Sequence, residues 1–154
     1  MIIIFACCVA FLYAIGLMFN WTYVDSSVYI CEYFAPILGI YVSLLVLIKG
    51  VKFYIQNRHK FNWKWILTLI IQILNMLMLK SRITLLLLNL QKNEGLTNKA
   101  IFNRVVNDLY QLAAQYSLDY YTVNIIVYIW PFFMICVCWF LQTLINNKQN
   151  KNSN

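Results

Sequence analysis

A metal or acid–base centre in this chain would have to be assembled from five carboxylates (Asp25, Glu32, Glu94, Asp108, Asp119), one histidine (His59) and five cysteines (Cys7, Cys8, Cys31, Cys136, Cys138). Their spacing does not favour one. The cysteines contain no CxxC pair, and a lone imidazole cannot complete a Cys2His2 zinc set. The HExxH, GxSxG, P-loop and dinucleotide-glycine patterns are missing. Asp108 follows Arg104 at the i,i+4 spacing of a helical surface ion pair. Asp119 stands just before an apolar run, where it can cap a helix start. The cysteines lie in or beside apolar runs and read as small apolar residues, with acylation of Cys7 or Cys8 as a weaker alternative. These residues predict a protein that is not an enzyme and takes neither cofactor nor metal.

What remains is a set of polar side chains inside apolar runs: Gln72, Asn75 and Asn124, with Lys80 and Arg82 close by. An amide in such a run serves either a ligand or ion path or an interhelical hydrogen bond, and the second use is commoner. Tyr41, Trp65, Gln72 and Asn75 are the candidate ligand or helix-contact positions. Lys80 and Arg82 are candidate membrane-boundary charges, since cations near the end of a span anchor it. Asn20-Trp21-Thr22 is a sequon, which makes Asn20 a glycosylation candidate if it faces a lumen.

The elements that must position these groups are written for lipid. Hydrophobic residues make up 62% of the 154 positions and charged residues 11%, against about 25% charged in a soluble domain. Apolar segments run over about 1–19, 33–48, 63–90 and 121–145. A bilayer core about 30 Å thick needs about 20 helical residues to cross it. Runs such as ITLLLLNL lack the alternation of a barrel strand. The fold class expected is all-α, a polytopic integral membrane helical bundle with three or four transmembrane helices and one amphipathic helix. Residues 1–145 form a single membrane domain, and the polar tail 146–154 reads as disordered. The net charge of +7 sits at span ends and in loops, so it marks membrane flanks and not a nucleic-acid footprint. Five tryptophans, mostly near span ends, suit interfacial belts.

Several local features refine this outline. Gly16 weakens the first helix, and NWTYVDSSVY reads as a polar connection. Glu32 marks the boundary of the second span, and Pro36 sits near its start, where a missing N–H costs little. Lys49, Lys52, Arg58, Lys60 and Lys64, with His59, form a basic segment. Gly95 breaks the chain in QKNEGLTN. An amphipathic helix over about 99–118 presents Ile101, Phe102, Val105, Leu109, Leu112, Ala113 and Tyr116, opposite Asn103, Arg104, Asn107, Asp108, Gln111 and Gln115. Packing on its own protein is favoured over lipid-surface binding. Pro131 predicts a kink in the last span.

The 63–90 segment supports two topologies. One long helix carrying both cations gives four spans with both ends inside, which obeys the positive-inside rule. Ending the span at Lys80 gives three spans, with 1–19 lying on the membrane. Burying a cation costs about 2.5–3.5 kcal/mol on insertion scales, which favours ending that span at Lys80.

Two stretches carry a family resemblance. YAIGLMFNWTYVDSSVYICEY (13–33) resembles the entry to the first span of insect gustatory receptors. LKSRITLLLLN (79–89) resembles the passage from their second span into a cytosolic helix. The resemblance covers most of this chain but only about the first three spans of a seven-span receptor. The family's C-terminal Thr-Tyr and Gln-Phe motif and the pore-forming spans are absent. It implies a partial chemosensory receptor or ligand-gated cation channel subunit of the plasma membrane, binding a small molecule and assembling with itself or with related subunits. The competing reading is a small accessory or assembly subunit of a larger membrane complex. Both place the chain in a lipid bilayer with membrane subunits as partners and no nucleic acid.

Overall fold

The computed structural model describes residues 2–57 and 63–150, with side chains as far as Asn146. Arg58, His59 and Lys60 of the basic segment and residues 151–154 of the tail lie outside the described residues. Every element described is helical. Helix α1 is Ile2–Phe19, and α2 joins Tyr23–Ser27, a π-helical stretch Val28–Phe34, and Ala35–Gln56. Trp63–Asn93 forms α3 and Asn98–Gln115 forms α4. The last helix, α5, joins Tyr120–Asn124, a second π-helical stretch Ile125–Ile129, and Trp130–Asn150. Four helical stretches, Ile2–Phe19, Tyr23–Gln56, Trp63–Asn93 and Tyr120–Asn146, are long and apolar enough to cross a membrane. The chain groups into two compact units. Unit 1 holds the residues up to Pro36 with Leu85–Pro131, and unit 2 holds Ile37–Thr84 with the residues from Phe132 onward.

Helix α2 starts at Tyr23 and not at Tyr33, because Thr22 and Asp25 form a capping box. The Thr22 hydroxyl accepts from the Asp25 N–H at 3.2 Å, and the Asp25 carboxylate accepts from the Thr22 N–H at 3.2 Å. This exchange starts a helix inside a stretch whose composition reads as loop. The α1–α2 turn is correspondingly tight, with Asn20 at φ 56°. A Cβ on Gly16 would lie 2.8 Å from the Ser26 Oγ and 2.9 Å from the Trp21 carbonyl. Gly16 therefore permits the close approach of α2, beyond any cost to α1. Asn20 is exposed, and the sequon's Thr22 is the helix cap.

Both prolines follow a π-helical stretch. The Ala35 N–H bonds the Ile30 carbonyl and the Trp130 N–H bonds the Ile125 carbonyl, each at i→i−5. A proline ring presses on the carbonyl four residues earlier, and a wider turn before it makes room. Pro36 is thus interior to a long helix, and Pro131 follows a π turn.

In unit 1, α4 packs Val105, Leu109 and Ala113 against Tyr120, Val123, Val127 and Tyr128 of α5. The amphipathic face therefore meets its own protein, although Leu112 and Tyr116 remain exposed. In unit 2, Val46, Phe53, Ile71, Cys138 and Ile145 form the core, with Tyr54, Trp65 and Leu67 against them. Burial along α2 falls at Gly39, Ser43, Val46, Gly50, Phe53 and Asn57, alternating three and four residues apart. That is the 3.5-residue period of a supercoiled seam. Helix α5 continues through Asn150, taking in the start of the expected disordered tail, because NNKQN contains nothing that stops an established helix.

Candidate ligand cavity

Unit 1 holds a partly open cavity of about 170 Å³. Its walls come from four helices: Phe5, Cys8 and Leu12 of α1, Tyr23, Ser27, Cys31 and Glu32 of α2, Phe102 and Val105 of α4, and Tyr120, Asn124 and Tyr128 of α5. Helix α1 is held against this site by Phe5, edge-on to Tyr121 at 4.9 Å, and by Tyr13, stacked on Tyr23 at 4.7 Å. Helix α4 is tied in at its start, where Asn98 donates to the Asp25 carboxylate at 2.7 Å and to the Tyr29 hydroxyl at 3.2 Å.

Glu32 is the charged member of the wall and is 3% exposed. It lies in the first π stretch, and Tyr128, in the second, donates its hydroxyl to Glu32 Oε1 at 2.6 Å. Arg104 of α4 approaches the other oxygen, Nη2 to Oε2 at 3.9 Å. A buried carboxylate persists only when paired and hydrogen-bonded, and these two partners supply that. The Glu32 carbonyl is the one whose α-helical donor would be the N–H that Pro36 lacks. Asn89 of α3 donates to it at 3.1 Å. Ser27 is 8% exposed, and its Oγ has no hydrogen-bond partner among the described residues.

The residues singled out in the sequence fall elsewhere. Tyr41 is exposed on α2, and Trp65 packs edge-on against Tyr54 at 5.0 Å. Gln72 donates to the Val46 carbonyl and to Gln142 Oε1, both at 3.2 Å, and Asn75 donates to the Ser43 carbonyl at 3.0 Å. Gln72 and Asn75 are therefore helix contacts of unit 2, and none of the four lines the cavity. Lys80 is exposed, while Arg82 is 3% exposed, its side chain packed on Gly39. Asn124, noted as an amide in an apolar run, does line the cavity.

By sequence alone, Glu32 marks a span boundary and Arg104 pairs with Asp108. The structure buries the first and turns the second toward Glu32. An acid embedded in VYICEYFAPILGI was the available signal, because an ionisable residue within an apolar run is a functional candidate by default. No group of three or more His, Cys, Asp or Glu residues placed to hold a metal occurs among the described residues. All five cysteines are free thiols. No protein-family model, curated protein or solved structure matches the chain.

Proposed function

We propose that this chain is a non-enzymatic multi-pass membrane protein that binds a small molecule in the cavity of unit 1, as a chemosensory receptor-like or ligand-gated channel subunit in the plasma membrane. The observation that carries the reading is the joining of Glu32, Tyr128 and Arg104 beside an apolar cavity. Sites for small ligands are concave and mostly apolar, with a few placed polar groups. The two stretches that resemble gustatory receptors add support, because Ser27, Cys31 and Glu32 of the first stretch line the cavity and Asn89 of the second bonds the Glu32 carbonyl. Lipid, further copies of the chain and other membrane subunits are the partners proposed.

The accessory-subunit reading has its own support in unit 2, where the amides Gln72, Asn75 and Gln142 make contacts between helices. Thermal unfolding of the full chain in nanodiscs against a panel of small amphipathic compounds separates the two. A receptor-like chain is stabilised by at least one compound, and Val105→Trp, which fills the cavity, abolishes that response. An accessory subunit responds to none and co-purifies with a larger complex.

A further inference from the structure

We infer that the cavity of unit 1 is built for an uncharged molecule about the size of one six-membered ring, carrying a single hydroxyl or carbonyl that bonds Ser27. The inference rests on the cavity being the ligand site proposed above and names the chemical class it takes.

Size comes first. An engineered apolar cavity of roughly 150 Å³ binds benzene, and this one is about 170 Å³. That volume seats a ring with one or two extra heavy atoms. The walls suit a ring, since Phe5, Tyr23, Phe102 and Tyr120 surround it with aromatic surface.

Charge comes second. Glu32 would attract a cation if it were unpartnered, but Tyr128 occupies one oxygen and Arg104 faces the other. A cationic ligand would compete with Arg104 for Glu32, and an anionic one would meet Glu32 in a mostly apolar cavity. Both costs disappear for a neutral ligand.

Polarity comes third. The Ser27 Oγ is buried, lacks a hydrogen-bond partner among the described residues, and belongs to a residue of the cavity wall. A hydroxyl both donates and accepts. A buried hydroxyl left unpaired is costly, so a ligand hydroxyl or carbonyl that pairs with it gains more than the same group would on an exposed surface.

The test uses the full chain in nanodiscs and four fluorinated probes of one size: 4-fluorobenzyl alcohol, 4-fluorotoluene, 4-fluorobenzylamine and 4-fluorobenzoate. Binding is read from fluorine NMR line widths, with partition into lipid subtracted using Val105→Trp nanodiscs, or Leu12→Phe nanodiscs should the first variant fail to fold. The alcohol is expected to bind tightest. Ser27→Ala should weaken the alcohol by up to about tenfold and leave the toluene unchanged. Tightest binding by the amine or the benzoate, or an alcohol affinity indifferent to Ser27→Ala, overturns the ligand class while leaving the cavity as the binding site. Equal signals from wild type and the filled variants for all four probes remove the cavity as a ligand site, and the class with it.

Discussion

In unit 1 a carboxylate, a guanidinium and a phenol from three helices meet beside a cavity, whereas in unit 2 carboxamides reach across to backbone carbonyls of a neighbouring helix. The two arrangements differ in what a single loss leaves behind. Removing one half of a buried charge pair strands the other half in an apolar setting, which costs more than the pair itself was worth. Removing an amide leaves a carbonyl that keeps its own intrahelical donor. Unit 1 should therefore be brittle at a few positions, and unit 2 should be tolerant at many.

The largest expected effect follows directly. Arg104→Met leaves Glu32, whose side chain is 4% exposed, without its cation, and should destabilise the protein by about 3–5 kcal/mol. Glu32→Gln should cost less, since Arg104, at 24% exposure, still reaches solvent. Combining Glu32→Gln with Arg104→Met should recover most of the loss, because the stranded charge is gone and the glutamine carbonyl can still accept from Tyr128. Denaturant unfolding in detergent micelles measures all three. Additive losses in the double variant would mean that the pair is not the source of brittleness.

Unit 2 supplies the middle of the scale. A Cβ on Gly50 would overlap the Gln72 carboxamide, so Gly50→Val should cost about 1–3 kcal/mol by overpacking. Gln72→Ala in the same chain should relieve part of that, and a double-mutant cycle reads the coupling. Asn75→Leu removes one interhelical bond of a kind that averages roughly 0.6 kcal/mol in membrane helices. An Asn75→Leu loss as large as that of Arg104→Met would erase the distinction between the units.

The contrast also explains which parts were legible in the sequence. The long apolar runs announced the helices, because a helix needs about 20 apolar residues to cross a bilayer. Thr68, Asn75, Arg82 and Asn89 recur seven residues apart, and all four are buried, so one stripe of α3 was written in the spacing. The start of α2 was missed because NWTYVDSSVY looks like loop until Thr22 and Asp25 are recognised as reciprocal caps. The cavity could not be read at all. It needs side chains from four helices, and the i,i+4 rule that assigned Arg104 to Asp108 knows nothing of a carboxylate 72 residues away.

The smallest effect tests whether burial, and not membership of unit 1, makes a charge critical. Asp119 also belongs to unit 1, but it is fully exposed. It caps α5, accepting from the Thr122 N–H at 2.9 Å and from the Thr122 hydroxyl at 2.6 Å. The Thr122 side chain, and then its backbone N–H, favour the ionised form and hold the carboxyl below its ordinary range. A carboxyl with a lowered folded-state pKa binds its proton more readily in the unfolded chain. Its contribution is therefore present above the ordinary carboxylate range and is lost as pH falls through the lowered folded value. Asp119→Ala should lower the unfolding midpoint slightly at pH 7, and the gap from wild type should shrink as the pH is taken down through the acid range. Solvent screening keeps this gap below that of any buried position. A loss at pH 7 rivalling that of Arg104→Met would show that proximity to the cavity matters more than burial, and the contrast between the units would need a different cause.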